Sequence, residues 1–252
     1  MRFSLLTIMT MAVTLVAGKP LHITRRATNG TGEPPVNYGV IVFRALDMLD
    51  IWGPLDALQI AAHNRHMNLH IIAATLDPVT TETSSASMNP YNSSFWPLIQ
   101  PTNTFDDDLD LDVLIVPGGP GIRSPGLEPI VDYIAKYYPK VKYLISICTG
   151  ASFAAKAGVL DGKRVTTNKA AWATITAMAP KAKWVSPARY VSDGNVWSSS
   201  GVTSGLDLII AFIKDVYGEA LATKVSNVME YVPNAADWDP FAEINNVEPT
   251  SN

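Results

Sequence analysis

The sequence is poor in the residues that carry most nucleophilic and metal chemistry. Its 252 residues include one cysteine, Cys148, and four histidines, His22, His63, His66 and His70. A lone thiol excludes an internal disulfide, so the fold rests on its core. No histidine follows residue 70, which excludes a cysteine-protease triad with a downstream histidine. His63, His66 and His70 have helix-like spacing, yet a helix ending near Asn64 and a strand starting near Leu69 would separate them, so no metal centre is expected. Basic residues number 19 against 23 acidic ones, without a basic patch, which argues against nucleic acid as a partner. Internal repeats and phosphate-cradling glycine motifs are also absent, and no cofactor is expected. The length and mixed polarity suit one globular domain with a real core.

The apolar run Leu5 to Val16 is too short to span a bilayer. With Arg2 before it and Val16-Ala17-Gly18 after it, the run predicts a signal peptide over 1–18 and no stable membrane anchor. Residues 19–36 are expected to be a propeptide or linker, with Arg25-Arg26 as a dibasic processing site. Residues 1–26 carry four basic groups and no acidic ones, so the mature chain would hold 15 basic against 23 acidic residues. The triplets Asn29-Gly30-Thr31 and Asn92-Ser93-Ser94 are acceptor sequons for glycosylation and agree with a secreted protein.

From residue 37 onward, apolar runs alternate with helical patterns. Strands are expected at Tyr38 to Phe43, Leu69 to Thr75, Val113 to Val116, Tyr143 to Ile147 and Val196 to Ser199. Shorter ones are expected at Arg164 to Thr167, Lys183 to Ser186 and Arg189 to Val191. Gly53-Pro54 reads as a chain break, with Pro54 opening a helix over Leu55 to about Asn64. Helices are also expected over Leu127 to Tyr138, Ala170 to Met178 and Thr203 to Tyr217. Asp77 to Thr104 reads as short hairpins, and the acidic run Asp106 to Asp112 as a solvated turn. Residues 233–252 are expected as a C-terminal tail. Buried strands alternating with helices imply a parallel sheet covered on both faces, whose ligands sit at the carboxyl ends of its strands.

Three candidates fall just after strands. Cys148 lies where an apolar strand turns sharply into an alanine-rich segment, the shape of a nucleophile elbow, where a helix dipole can stabilise a thiolate. A small buried core thiol is the competing reading. Asp50 follows the first strand by a few residues. A carboxyl held beside a thiol in a dry pocket keeps its proton and can act as acid and then base; a turn aspartate is the alternative. Gly118 and Gly119 could bring backbone N–H groups to a developing negative charge, joined by the N–H of Thr149. The Thr149 hydroxyl either caps the following helix or touches substrate. Trp52 is a candidate pocket wall or a core aromatic.

Taken together, Leu49-Asp50-Ile51-Trp52-Gly53-Pro54, Asp112 to Gly119, Ile147-Cys148-Thr149-Gly150-Ala151 and Ser200-Gly201-Val202-Thr203-Ser204-Gly205-Leu206-Asp207 resemble motifs of the ThiJ/PfpI superfamily. Within it they resemble the isonitrile (isocyanide) hydratase branch, from about Tyr38 to Tyr231. The resemblance implies a flavodoxin-like three-layer α/β/α sandwich with a mostly parallel sheet, akin to the class I glutamine amidotransferases, and a homodimer. It further implies that Cys148 is the nucleophile, Asp50 the acid and base, Thr149 an essential hydroxyl, and Gly119 an oxyanion-type donor. Similar hydratases carry histidine within the segment Thr166-Thr167-Asn168-Lys169; here Asn168 stands instead, as part of the pocket wall. The implied activity is hydration of an isonitrile to an N-formamide through a cysteine thioimidate. A non-catalytic redox-sensing or ligand-binding protein, and glyoxalase-type chemistry on dicarbonyls, are the rival classes.

Overall fold

The computed structural model describes residues 33–251. The expected signal peptide, Arg25-Arg26 and Asn29 lie outside the described residues. Strands β1 (Asn37–Ile41), β2 (Asn68–Ala73), β3 (Val79–Thr80), β4 (Leu98–Ile99), β5 (Asn103–Thr104), β6 (Val113–Val116), β7 (Tyr143–Ser146), β8 (Arg164–Val165), β9 (Lys183–Trp184), β10 (Tyr190–Asp193) and β11 (Val196–Ser199) alternate with helices. The helices are α1 (Met48–Ala62), α2 (Glu128–Tyr137), α3 (Ala151–Lys156), α4 (Trp172–Thr176), α5 (Ser204–Tyr217), α6 (Glu219–Val228) and α7 (Phe241–Ile244).

Seven strands form the central sheet in the order β10-β11-β7-β6-β1-β2-β5. All its neighbours pair parallel except β10, which runs antiparallel to β11. The runs Val113–Val116 and Leu144–Ile145 are buried throughout, as expected of strands covered on both faces. Helices α1, α5 and α6 pack together, and α2 packs on α3. The chain steps from β1 outward to β2, then returns to β6 on the other side of β1. Right-handed crossovers in opposite directions place the two helix groups on opposite faces. The result is the flavodoxin-like three-layer sandwich, with its switch in strand order between β1 and β6.

Two local expectations are corrected. Helix α1 begins at Met48, seven residues before the expected start, and Pro54 lies inside it. Its N-cap is Asp47, whose side chain accepts the N–H of Leu49 at 3.3 Å. Gly53-Pro54 is a packing notch rather than a break. A methyl on Gly53 would meet the Leu206 side chain at 3.2 Å, and one on Gly205 would meet Ile147 at 3.0 Å and Pro54 at 3.6 Å. Helix α6, absent from the sequence reading, follows Gly218 and buries Leu221, Ala222 and Val225.

The C-terminal segment is stitched to the domain. Arg189 N–H donates to the Ala236 carbonyl at 2.7 Å, Thr250 N–H to Ser186 at 2.7 Å, and Asn234 N–H to the Asp207 carboxylate at 2.7 Å. Asp207 is buried and pairs with Arg189, and the Tyr231 hydroxyl donates to it at 2.5 Å.

Candidate active site

The carboxyl ends of β1, β6 and β7 bring Asp50, Gly118-Gly119 and Cys148 to one place beside the switch in strand order. Cys148 is the first residue after the Ile147 that follows β7, and it opens a 3₁₀ turn, Cys148–Gly150, leading into α3. It adopts φ +56°, a left-handed conformation that costs a non-glycine residue on the order of 1 kcal/mol or more and marks functional turns. The expected elbow is therefore present in the backbone. Gly150 N–H closes the turn on the Ile147 carbonyl at 2.9 Å, and the Thr167 hydroxyl donates to the Cys148 carbonyl at 2.9 Å.

Asp50 sits in the first turn of α1 and is completely buried. Its Oδ2 accepts the N–H of Gly118 at 2.8 Å, while Asp47 N–H donates back to the Gly118 carbonyl at 2.9 Å. The helix start and the β6 loop are thus bonded in both directions. The other oxygen, Oδ1, is buried and has no partner of full hydrogen-bond geometry. The Cys148 thiol lies close enough to this carboxyl to draw its proton affinity down.

Electrostatics keep both groups neutral. Burial, reinforced by the charge of Asp47, pushes Asp50 up from 3.8 to about 8 against the opposing pull of Gly118 N–H and the thiol. Burial likewise raises the Cys148 thiol, and a charged Asp50 raises it further; the N–H of Thr149 and the amide of Asn168 act the other way. Near neutrality the site therefore holds a thiol and a carboxylic acid, each protonated, because two adjacent anions in a dry pocket are costly.

The glycines are required by space. A Cβ on Gly118 would lie 2.4 Å from Thr149 Oγ1 and 2.5 Å from its nitrogen. Gly119 has φ +133°, and a Cβ there would lie 2.4 Å from Asp47 N. In this structure the N–H groups of both glycines, expected to face a developing negative charge, are already engaged. Gly118 N–H is held by Asp50, and Gly119 N–H donates to Thr149 Oγ1 at 2.8 Å. Thr149 neither caps α3 nor leaves its hydroxyl open; it bonds the Gly119 backbone.

Asn168 proves closer to the chemistry than a pocket wall. Its Nδ2 donates to Cys148 Sγ at 3.3 Å, and its Oδ1 accepts the N–H of Ala171 at 3.2 Å. Trp52 does not join the site. It is 44% exposed and lines a separate apolar groove of about 600 Å³ along α1, with Leu49, Leu55, Leu69, Leu206 and Met229. Asp50, two residues earlier, points the other way because two helix positions turn by about 200°. Asn92 is exposed in the loop before β4. His63 ends α1, His66 is in the following loop, and His70 lies in β2 bonded to Asn103 at 2.9 Å.

A strand-end thiol, a buried acid from the first helix and a glycine loop between them define a family as much as a site. The DJ-1/PfpI family model matches residues 39–215, and the chain belongs to that family. Among curated proteins, it is 32% identical over 197 residues to an isonitrile hydratase of Pseudomonas putida, covering 77% of this chain and 78% of that one. It is 27% identical over 133 residues to the HTH-type transcriptional regulator GbdR of Pseudomonas aeruginosa, covering 53% of this chain but only 36% of the regulator. A ThiJ/PfpI family protein of Pseudomonas syringae has a similar structure, with TM-score 0.63, 24% identity and 85% coverage of both chains. Drosophila melanogaster DJ-1beta shares the fold at TM-score 0.61 and 17% identity, over 78% of this chain and 98% of that one.

Proposed function

We propose that this chain is an isonitrile hydratase, converting R–N≡C and water to R–NH–CHO without a cofactor. The observation that carries the reading is the fully buried Asp50 carboxyl beside the buried Cys148 thiol, whose sulfur, among the described residues, takes the Asn168 amide and no basic side chain. The resemblance to the Pseudomonas putida isonitrile hydratase supports it.

In the proposed mechanism Asp50 gives its proton to the terminal carbon of the isonitrile, leaving a nitrilium cation beside a carboxylate. The Cys148 sulfur attacks that carbon while its thiol proton passes to Asp50, giving the thioimidate R–N=CH–S–Cys and restoring the acid. Asp50 next protonates the imine nitrogen and takes a proton from the water that adds to the same carbon. The C–S bond of R–NH–CH(OH)–S–Cys then breaks, sulfur leaves with the bonding pair, and the hydroxyl proton returns to it through Asp50. One water is consumed and no electrons change hands. The Asn168 amide and the Thr149 N–H stabilise the departing thiolate.

This chemistry suits the occupied backbone amides. Acyl transfer needs free donors aimed at an oxyanion, and here the N–H groups of Gly118 and Gly119 donate to Asp50 and Thr149. Nitrilium formation instead needs an anion beside a cation, which Asp50 supplies. The same point disfavours glyoxalase-type chemistry. Peroxide sensing is disfavoured because oxidation follows thiolate character, and burial raises this thiol.

A homodimer and a secreted destination belong to the same proposal. The first is favoured by exposed Leu49, Trp52 and Leu69, the second by the sequence of residues 1–18 and the sequon at Asn92. Sedimentation and N-terminal sequencing of the exported protein test them. The activity is tested by incubating the protein with an aryl isocyanide and following the formamide by chromatography. Wild type should produce it, and Cys148→Ala should fall to the rate without protein; equal rates for the two refute the proposal.

A further inference from the structure

Residue 169, beside the asparagine that touches sulfur, is a buried lysine. Its side chain folds away from the surface and is 1% exposed, as is that of Asp239, which it meets at 2.8 Å. Around Nζ stand four further oxygens: Thr166 Oγ1 at 3.0 Å, Ser200 Oγ at 3.0 Å, and the carbonyls of Thr167 and Ala188, both at 3.2 Å. Its ammonium also lies 5.0 Å over the Trp172 ring. Lysine is almost never buried unless paired. A buried ion pair adds little stability over apolar residues of the same volume, so its presence calls for a positional role.

Its position supplies one. Residues 166–169 form a short span fixed at both ends. At one end Thr167 Oγ1 holds the Cys148 carbonyl. At the other, Lys169 holds Asp239 from the C-terminal segment, and Ser200 bonds both the Thr167 carbonyl and Asp239, each at 3.3 Å. Asn168 lies between these anchors. Its Oδ1 is committed to the turn begun by Lys169, which leaves Nδ2 aimed at the sulfur.

We infer that Lys169 and Asp239 are positioning residues, an ion pair through which the C-terminal segment holds the Asn168 amide on the Cys148 sulfur. The inference rests on the reading of Cys148 as the reacting group, though not on the identity of its substrate. Asn168 then sets how readily the thiol ionises, and the pair acts only through Asn168. Asp50 and Asp47 also face the sulfur electrostatically and stay constant across the variants below.

The test replaces both partners together, Lys169→Met with Asp239→Leu, so that no unpaired charge is left. The rate of Cys148 alkylation by iodoacetamide is followed against pH by mass spectrometry, with Asn168 intact and with Asn168→Ala. Losing one hydrogen bond to a thiolate is expected to raise its pKa by about one unit, slowing alkylation about tenfold at a fixed pH below it. With Asn168 intact the double replacement should show that slowing. In the Asn168→Ala background it should add nothing, the non-additivity of residues acting in series. An unchanged profile, or equal slowing in both backgrounds, overturns the inference. If the double variant does not fold, Asp239→Asn takes its place with the same expected pattern. Alkylation reads the sulfur whether or not isonitriles are turned over. A protein that makes no formamide yet shows this pattern would refute the hydratase reading alone.

Discussion

Replacing Asp50 by asparagine should change how stability depends on pH before any substrate is involved. The folded chain holds the Asp50 proton up to about pH 8, against 3.8 for an ordinary aspartate. Between those values the folded state keeps a proton that the unfolded chain has released. The contribution is therefore complete below the lower value and lost as pH rises to the upper one. Linkage sets the slope at about 1.36 kcal/mol per pH unit for one proton, so the loss from pH 5 to pH 7 is about 2.7 kcal/mol. Asparagine is neutral in both states. Its carbonyl can accept the Gly118 N–H and its amide can face the sulfur. Urea unfolding followed by tryptophan fluorescence at pH 5, 6, 7 and 8 would give the two curves, in which all other titrating groups are shared. Asp50→Asn should lack most of the fall seen in wild type and become the more stable protein towards pH 8. Parallel curves would mean that Asp50 is already ionised in the folded chain, and the acid step of the mechanism would lose its proton.

Asp47→Asn removes a like charge that raises Asp50, so the alkaline limb of the pH–rate profile for formamide production should move below about 8. Gly119→Ala would force a methyl to 2.4 Å from Asp47 N at φ +133°. It should cost about 3 kcal/mol or more in urea unfolding, well above the usual Gly→Ala effect. Cys148→Gly removes the strain of a side chain at φ +56° and should raise stability by about 1 kcal/mol while abolishing activity, as differential scanning calorimetry and the formamide assay would show.

The sheet was legible because its central strands are continuous apolar runs. Val113–Val116 lies where its composition places it, and burial on both faces leaves such a segment few alternatives. The start of α1 was not, because proline is commonest in a helix's first turn; Asp47, three residues before Asp50, was the available N-cap signal. Helix α6 has a mostly polar face and only a thin apolar stripe, which local pattern reads weakly. For the site, the turn residues announced Cys148, Asp50 and the glycine loop. What the amides of Gly118 and Gly119 bond to depends on side chains 68 and 30 residues away in sequence, and no local pattern encodes that. Lys169 and Asp239 are further apart still, and each looks like an ordinary surface charge until the fold buries it.

The notch between α1 and α5 bears on how far this site can drift over evolutionary time. Gly53 seats the helix carrying Asp50 against Leu206, and Gly205 seats the next helix against Ile147, the residue before Cys148. The spacing of acid and thiol is thus gauged by two hydrogen atoms standing where side chains would be. A single methyl at either glycine would ask its neighbours to yield by a few tenths of an ångström, a displacement that a hydrophobic core absorbs and a proton transfer does not. Chains that keep the fold but lose either glycine should therefore be the ones that have exchanged this chemistry for another.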